Sequence, residues 1–304
     1  MQIGYIGLGK MGKNMVLRLL EKKIDVVAWN RSPEPLDEVG KAGAQKATSI
    51  EELVEKLETP RIVWLMLPAG EVIDEYVVKL SRLLEKGDLL IDGGNSFYKD
   101  TLRRGKLLSD KNIHFMDIGV SGGPAGARNG ACLMIGGEVD KYKDIKELVV
   151  AASSPEAYGL FGPLGSGHFA KMIHNGIEYG MMEAIAEGAA ILKNSKFKLN
   201  MEEIFRVYNN KSVIESRLVG WAKDSFSEDS DLKEISSIIN STGEGEWTIK
   251  TAKEMNIETP VINESFIVRQ KSSQIDSLSP EGYRNKVVSA LREKFGGHSV
   301  RENS

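Results

Sequence analysis

The sequence lacks the features of a secreted, membrane-spanning or nucleic-acid-binding protein. It has one cysteine, Cys132, so no intrachain disulfide can form and the cytoplasm is the expected compartment. Its 40 lysines and arginines nearly balance 43 aspartates and glutamates, and a net charge of −3 gives no general attraction to nucleic acid. No apolar run reaches the roughly 18 residues that a transmembrane helix needs, so no membrane span is predicted. The apolar opening MQIGYIGLG lacks the basic segment of a signal peptide and is predicted to be a buried strand.

Short apolar runs alternate with helical patterns in the first half of the chain, and helical patterns alone fill the second half. The runs that predict strands are 2–6, 25–29, 62–67, 88–92, 113–117 and 131–135. The helical patterns that follow the Ser-, Gly- and Pro-rich stretch 153–167 are 168–193, 200–208, 210–222, 231–239, 245–254, 260–274 and 280–294. We therefore predict a Rossmann-type α/β dinucleotide-binding domain with a parallel sheet at 1–165, followed by an all-α domain at 166–304.

A glycine-rich turn follows the first predicted strand and opens a predicted helix. It consists of Gly7, Leu8, Gly9, Lys10, Met11 and Gly12. Gly7 permits the tight turn, Gly9 lets the backbone approach a pyrophosphate, and Gly12 allows close packing of helix and sheet. The phosphates would lie at the helix N-terminus, where free N–H groups favour anions. Purely structural glycines are the alternative, but the β-α-β context favours a cofactor site that includes Leu8 and Met11.

The end of the second predicted strand indicates which cofactor this turn binds. A carboxylate there would hold the ribose 2′-hydroxyl of NAD, but the sequence continues Asn30-Arg31-Ser32. Arg31 can stack on adenine and pair with a 2′-phosphate, to which Asn30 and Ser32 can donate hydrogen bonds. NADP is therefore favoured, with NAD as the alternative cofactor. The segment could also be a solvated polar loop without a role in binding. Leu67 and Pro68, at the end of the run 62–67, are predicted to line the same cofactor.

The stretch KMIHNGIEYG, residues 171–180, has a polar stripe on an otherwise apolar helix. Lys171, His174, Asn175 and Glu178 are spaced i, i+3, i+4 and i+7, which places them on one helix face. Such a set could be an active site or merely a solvated face. His168, at the start of the same predicted helix, is expected to be structural or near the cofactor.

Three segments together resemble the 6-phosphogluconate dehydrogenases. They are IDGGNS at 91–96, VSGGPAGARNG with Ser121, Gly122 and Gly123, and GSGHFAKMIHNGIEYG with its polar stripe. The resemblance runs from residue 1 to about 298, and the chain looks like the short-chain form of the family. It implies oxidation and decarboxylation of 6-phosphogluconate to ribulose 5-phosphate and CO2 with NAD(P), without a metal.

The resemblance also implies roles for the polar stripe. Lys171 becomes the general base, because a neutral lysine can accept the proton of the substrate C3 hydroxyl and then stabilise an oxyanion. Glu178 becomes the general acid that protonates C1, and Asn175 holds the C3 oxygen. The implied substrate contacts are Asn95, Ser121, Gly122, Gly123, His174, Asn175 and Tyr179, with Asn95 between cofactor and substrate.

The end of the chain resembles the family's C-terminal segment, in which an arginine and a histidine reach the substrate phosphate of a neighbouring subunit. Arg292 and His298 occupy these positions. Guanidinium binds phosphate bidentately and imidazole adds a donor, so the resemblance implies a homodimer or homotetramer with shared sites. A frayed basic tail is the alternative.

One position departs from the family pattern. The segment Gly245-Glu246-Trp247-Thr248 resembles a G-K-W-T segment of the long form, whose lysine and threonine bind phosphate. Glu246 cannot bind an anion, whereas Thr248 still can. Arg269 or Lys271 on the following predicted helix could supply the missing charge.

Two other functions remain open at this point. Another β-hydroxyacid dehydrogenase, of the 3-hydroxyisobutyrate or tartronate semialdehyde type, shares the glycine turn, the Ser-Gly-Gly loop, and the lysine and asparagine four residues apart. Such an enzyme would not need Arg292 and His298, because its substrate has no phosphate. A non-catalytic NADP-binding sensor would need only the glycine turn.

Overall fold

The computed structural model describes residues 1–240, 243–297 and 300. The chain divides into two compact units, Met1–Lys171 and Met172–Ser304, so the division falls a few residues beyond the boundary expected at 165. Among the described residues, none of the helices combines the length and apolarity needed to cross a membrane.

The N-terminal unit is built on one eight-stranded sheet with the order β3-β2-β1-β4-β5-β6-β7-β8. The strands are β1 (Gln2–Ile6), β2 (Asp25–Trp29), β3 (Gln45–Lys46), β4 (Ile62–Leu65), β5 (Leu89–Asp92), β6 (His114–Ser121), β7 (Ala131–Gly136) and β8 (Ser153–Gly162). Neighbouring strands are parallel apart from β6 and β7, which are antiparallel. The parallel sheet predicted from the sequence is therefore confirmed for the other neighbouring pairs and was wrong for this one. Only Gly122–Gly130 joins the two strands, which is too short for a parallel crossover of about a dozen residues.

Helices cover both faces of this sheet. They are α1 (Lys10–Glu21), α2 (Pro33–Lys41), α3 (Ile50–Glu55), α4 (Glu71–Leu80), α5 (Tyr98–Ser109), α6 (Gly123–Asn129), α7 (Val139–Asp144) and α8 (Lys146–Ala152). Tyr5 and Ile6 are adjacent on β1 and belong to two separate buried clusters, because successive strand residues point to opposite faces. A strand buried on both faces has a continuous apolar run in the sequence, and such runs made the positions of these strands predictable.

The Ser-, Gly- and Pro-rich stretch 153–167 contains a strand that the sequence did not predict. Residues 153–162 form β8, and its Pro155 is tolerated because β8 is the edge strand of the sheet. A proline that cannot donate a ladder hydrogen bond made this segment look like a linker.

The C-terminal unit is helical, which together with the first unit confirms the predicted fold class. Helix α9 (Ser166–Lys193) begins in the first unit and continues into the second. The others are α10 (Met201–Tyr208), α11 (Arg217–Glu228), α12 (Glu244–Glu254), α13 (Pro260–Lys271) and α14 (Pro280–Gly296), with a 3₁₀ turn at Ser272–Gln274. Apolar side chains of α9, α10, α11 and α14 form the core of this unit.

Two predicted helices of this unit differ from the structure because side chains compete for backbone donors. The segment 231–239 has no helix, since Asp229 accepts hydrogen bonds from the N–H groups of Asp231 and Lys233 and holds them in turns. The helix predicted at 210–222 begins only at Arg217, where the Ser216 hydroxyl caps the N–H of Val219.

Candidate active site

The glycine turn between β1 and α1 is tightly packed at two glycines and open at the third. Gly7 has a φ of +99°, and a Cβ there would lie 2.3 Å from the carbonyl oxygen of Met66. A Cβ on Gly12 would lie 2.0 Å from the carbonyl oxygen of Gly7, whereas a Cβ on Gly9 would meet no atom within 4 Å. Gly9 is also the N-cap of α1, and because glycine has no side chain, the N–H groups of the first turn have no side-chain cap. A pyrophosphate therefore has room beside Gly9 and donors to bind it.

The residues after β2 take different roles from one another. Asn30 braces the turn, because its Oδ1 accepts a hydrogen bond of 2.8 Å from the N–H of Leu8 and its Nδ2 donates to the carbonyl of Ser32. Arg31 and Ser32 are exposed. Both side chains are therefore accessible to the 2′-phosphate of an incoming cofactor. The charge of Arg31 also reaches Tyr76, where it partly offsets the rise in the phenol pKa caused by burial.

Two loops at the carboxyl ends of β4 and β5 pack against each other. A Cβ on Gly94 would lie 2.7 Å from the carbonyl oxygen of Leu67, so the loop with Leu67 and the exposed Pro68 touches the loop with the exposed Asn95. Parallel strands place such ends at one edge of the sheet, where ligands of open α/β folds bind.

A buried ion network holds the Asn95 loop. Asp92 is fully buried and accepts hydrogen bonds from the N–H of Gly94 at 3.0 Å and the hydroxyl of Ser96 at 2.7 Å. Arg104, 2% exposed, lies 3.5 Å from the Asp92 carboxylate, and its Nε donates to Asp74 at 2.7 Å. Sequence reasoning missed this network, although a charged residue ending the apolar strand 88–92 was a usable signal.

Ser121, Gly122 and Gly123 lie where β6 passes into α6. Gly122 and Gly123 have φ values of +117° and +64°, which explains why this turn needs two glycines. Ser121 pairs with Cys132 across the antiparallel ladder, so the two side chains share a face of the sheet. Cys132 is exposed; burial of part of its surface raises the thiol pKa, and the charge of Lys171 opposes that rise.

Lys171 is 9% exposed and lies against β6. A Cβ on Gly119 would lie 2.4 Å from the Cβ of Lys171, so the lysine stem occupies space that only glycine leaves. Later on the same helix, Nδ1 of His174 lies 3.1 Å from Oδ1 of Asn175 and 3.7 Å from a carboxylate oxygen of Glu178. The imidazole thus connects the amide and the carboxylate of the predicted stripe.

Two buried arginines converge beside Tyr179 in the C-terminal unit. Arg269 and Arg292 are each 4% exposed, and the guanidinium carbon of Arg269 lies 3.3 Å from the centre of the Tyr179 ring. Burial lowers the pKa of both arginines, and the charge of Arg292 lowers that of Arg269 further. Tyr179 and Glu178 oppose the fall for both arginines, and Glu244 opposes it for Arg292. Within the described part of the chain, neither guanidinium has a carboxylate within 4 Å. Two charges without ion-pair partners in a buried place are suited to an anionic ligand.

The other predicted phosphate contacts are distributed differently. Thr248 is buried, and its hydroxyl lies 2.9 Å from the carbonyl oxygens of both Met172 and Glu244, to one of which it donates. Glu246 is exposed in the first turn of α12, where a negative charge stabilises the helix dipole. His298 lies outside the described residues.

Comparisons with known proteins identify the family of the chain. Residues 2–161 match the family described as the NAD binding domain of 6-phosphogluconate dehydrogenase, and residues 167–294 match the 6-phosphogluconate dehydrogenase C-terminal domain. The chain belongs to the 6-phosphogluconate dehydrogenase family. It is therefore an oxidoreductase with an NAD(P)-binding domain, as the sequence resemblance predicted.

Two curated relatives match over nearly their full length. A putative 6-phosphogluconate dehydrogenase of Bacillus subtilis is 42% identical over 300 residues, covering 99% of both chains. The NAD⁺-dependent, decarboxylating enzyme of Haloferax volcanii is 36% identical over 302 residues, covering 99% of this chain and 98% of its own. Among solved structures, Plasmodium falciparum 6-phosphogluconate dehydrogenase, studied with NADP⁺ and with 6-phosphogluconate, is 31% identical with a TM-score of 0.82. That match covers 96% of this chain and 70% of the Plasmodium chain.

Proposed function

We propose that this protein oxidises and decarboxylates 6-phosphogluconate to ribulose 5-phosphate and CO2 while reducing NADP or NAD. The observation that carries the proposal is the pair of buried guanidiniums, Arg269 and Arg292, without a carboxylate partner among the described residues. Keeping two such charges apart from water is costly unless a ligand anion neutralises them. A sugar-acid phosphate supplies a dianion that two arginines can bind bidentately.

The residues of the glycine turn fit a dinucleotide. When bound, NAD(P)⁺ accepts a hydride from C3 of the sugar acid. The open space at Gly9 and the first-turn N–H groups of α1 hold the pyrophosphate, while Asn30 keeps the turn in shape through Leu8. The exposed Arg31 and the absence of a carboxylate at position 30 support NADP as the preferred cofactor, with Ser32 as a further donor.

Lys171 acts as the general base. It removes the proton of the C3 hydroxyl as the hydride leaves, and Asn175 and Asn95 hold the substrate in line. Once protonated, Lys171 stabilises the negative charge that develops on the C3 oxygen while the β-keto acid loses CO2. Its low exposure and its seat against Gly119 support this role, since a base must keep a fixed position.

Glu178 acts as the general acid. Seven residues along a helix span roughly 10 Å, so it can reach the far end of the same small molecule and protonate C1 of the enediol. His174, close to both Asn175 and Glu178, can bind a substrate hydroxyl and orient the carboxyl group. Ser121, with Gly122 and Gly123, is proposed to bind the carboxylate end of the substrate.

The phosphate is proposed to lie between Arg269 and Arg292, with Tyr179 beside it. Arg269 then replaces the lysine that the long form has where this chain has Glu246. The Thr248 hydroxyl donates its proton to a backbone carbonyl and has none left for a phosphate, so Thr248 is mainly a packing residue between α12 and α9, where a Cβ on Gly176 would lie 2.7 Å from its methyl group. His298 of a neighbouring subunit would complete the phosphate site.

A homodimer, or a tetramer built from it, is proposed to form in the cytoplasm along an apolar stripe of α9. Ile177, Met181 and Ile191 are 53%, 42% and 73% exposed. Together with the exposed Ala184 they follow one another along the helix at spacings of four, three and seven residues. Such spacing is typical of a helix seam that packs against another helix. Light scattering should detect a dimer that Met181→Asp dissociates and Val213→Asp, at an exposed loop residue, does not. A monomeric wild type would remove the shared-site proposal.

Another β-hydroxyacid dehydrogenase remains the second candidate, because the glycine turn and Lys171 serve it equally well. It does not account for two buried arginines without carboxylate partners. A non-catalytic sensor accounts neither for these arginines nor for the polar stripe that runs from Lys171 to Glu178 on α9.

Product analysis tests the proposal. The protein should form reduced cofactor and CO2 in equal amounts from 6-phosphogluconate, and neither from 3-hydroxyisobutyrate nor D-glycerate. Lys171→Met and Glu178→Gln should each lower kcat by about 100- to 10,000-fold, the usual contribution of a general base or acid. Glu187→Gln, an exposed carboxylate on the same helix, is the matched control and should leave kcat unchanged. Turnover of the unphosphorylated acids alone would establish the second candidate instead.

A further inference from the structure

The first turn of α9 is held by a carboxylate from the sheet. Asp117 on β6 accepts a hydrogen bond at Oδ1 from the N–H of Gly165 and another at Oδ2 from the N–H of His168, both at 2.6 Å. The first N–H groups of a helix have no partner within the helix, so Asp117 caps α9 from a different element. Its negative charge also lies at the positive end of the helix dipole.

Asp117 is fully buried, and three glycines make its position attainable. A Cβ on Gly136 would lie 2.4 Å from Oδ1 of Asp117, and a Cβ on Gly167 would lie 2.7 Å from the N of Gly136. A Cβ on Gly119 would meet the Cβ of Lys171 at 2.4 Å. The start of α9 therefore packs closely on the backbone of β6 and β7, because glycines stand where other residues would place a Cβ.

Three side-chain positions on one face of β6 contact α9 near Lys171 or the proposed substrate site. Side chains alternate along a strand, so Asp117, Gly119 and Ser121 point to the same face. Asp117 binds the helix three residues before Lys171, Gly119 receives the lysine stem, and Ser121 is a proposed substrate contact. The distance from cap to lysine is about one helical turn, so a shift of the cap is passed directly to the lysine.

We propose that Asp117 is a positioning residue for Lys171, which fixes the height and rotation of the first turn of α9 so that the amine meets the C3 hydroxyl. This inference rests on the proposed function, because it assumes that Lys171 is the base. A carboxylate is required, since both oxygens accept from N–H groups. An asparagine would offer one acceptor and direct its NH₂ group at the other N–H.

A second contact anchors the same turn. Nδ1 of His168 lies 2.7 Å from the hydroxyl oxygen of Thr101 on α5, and both groups are buried. His168 thus ties α9 to α5 while Asp117 ties it to β6. Removal of either contact should loosen the turn, and the loss of Asp117 should have the larger effect because it removes two charge-assisted bonds.

The test separates rate from binding in Asp117→Asn and Asp117→Ser. Both variants should lose about 100-fold in kcat, the cost of misplacing a catalytic group by about 1 Å. The KM for 6-phosphogluconate and the Kd for NADP, measured by fluorescence titration, should stay within about threefold of wild type, because the proposed binding residues are untouched. Rates are expressed per titrated cofactor site, so misfolded molecules do not contribute.

Asp88→Asn is the matched control. Asp88 is 1% exposed and likewise accepts backbone N–H bonds, from Arg61 at 2.7 Å and Glu85 at 2.8 Å, but it lies at the amino end of β5. Its variant should lower Tm and leave kcat per site unchanged. If Asp117 variants do not fold, Thr101→Val should show the same split of kcat from KM at a smaller size.

Wild-type kcat per site in folded Asp117 variants would overturn the positioning role, as would equal losses in kcat and cofactor affinity. Failure of the proposed function is distinguishable, because the wild-type protein itself would then show no turnover of 6-phosphogluconate. In that case NADP binding by the variants would still be measurable.

Discussion

Arg104 and Arg269 are both arginines with almost no exposed surface, but their surroundings differ. Arg104, in the N-terminal unit, donates to Asp74 and Ser96 and lies 3.5 Å from Asp92. Arg269, in the C-terminal unit, stacks on Tyr179, and among the described residues its guanidinium donates a hydrogen bond only to the sulfur of Met182, 3.6 Å away.

This difference separates two uses of buried charge. A buried ion with carboxylate partners holds its loop in place, and removing it leaves an uncompensated charge. A buried ion without such partners gains them only when a ligand arrives, so it lowers stability and raises affinity. We therefore expect loss of stability from changes around Arg104 and loss of activity from changes around Arg269 and Arg292.

The largest effect is expected for Arg104→Met. It leaves Asp92 without its cationic neighbour, and breaking a buried ion pair costs about 3–5 kcal/mol of the free energy of unfolding. Urea unfolding monitored by circular dichroism measures the loss. Arg103→Met, at the exposed neighbour that also pairs with Asp74, is the control and should cost about 1 kcal/mol or less. Equal effects would mean that burial of Arg104 does not matter.

Arg269→Met and Arg292→Met should reverse this pattern. Each removes a charge that we assign to the substrate phosphate, so kcat/KM for 6-phosphogluconate should fall about 30- to 1,000-fold, or about 2–4 kcal/mol. Thermal unfolding without substrate should show an unchanged or higher Tm, because an unpaired buried charge is gone. A large fall in Tm in either variant would contradict the expectation that these arginines, unlike Arg104, do not stabilise the fold.

Arg31→Ala examines a ligand-directed charge in the N-terminal unit. Arg31 is exposed and belongs to no ion pair among the described residues, so its loss should leave stability unchanged. Steady-state rates should show kcat/KM for NADP falling about 10- to 100-fold while that for NAD is unaffected, because only NADP has the 2′-phosphate. Arg31→Lys should keep part of the preference. An unchanged NADP to NAD ratio in Arg31→Ala would remove this assignment.

The smallest effect is expected from Glu183, one turn beyond Tyr179 on α9. Burial raises the pKa of this carboxyl group, although Arg284 lies 3.1 Å away and opposes the rise. An acid whose pKa is raised by folding stabilises the fold below its unfolded pKa, and this contribution is lost as pH rises through the folded pKa. Glu183→Gln should therefore gain Tm relative to wild type as the pH rises above 4.5, the ordinary pKa of a glutamate. A difference in Tm that does not change with pH would contradict this.

Much of the fold could be predicted because its signals are local. The strands β1 and β2 and the turn between them follow from apolar runs and from Gly7 and Gly12, whose neighbours leave no room for a side chain. The segment 231–239 misled the prediction because Leu232, Ile235 and Ile239 are buried at helical spacing although Asp229 holds the backbone in turns. Periodicity reports burial, and burial does not require a helix.

The candidate site could be predicted where a residue type has chemistry of its own, as with Lys171 and Arg292. Asp117 could not, because its function depends on Gly165 and His168, which are far away in the sequence and close only after folding. Arg269 was one of two alternatives beside Lys271, and burial beside Tyr179 now favours Arg269. Sequence patterns identify reactive groups better than the groups that hold them.

The central claim is that the buried arginines of the C-terminal unit bind the phosphate of the substrate. Its most direct test compares kcat/KM for 6-phosphogluconate and gluconate, which differ only in that group. We predict a preference of about 1,000-fold or more for the phosphorylated acid in the wild type, and a preference about 30- to 1,000-fold smaller in Arg269→Met. Equal kcat/KM values for the two acids in the wild type would contradict the claim.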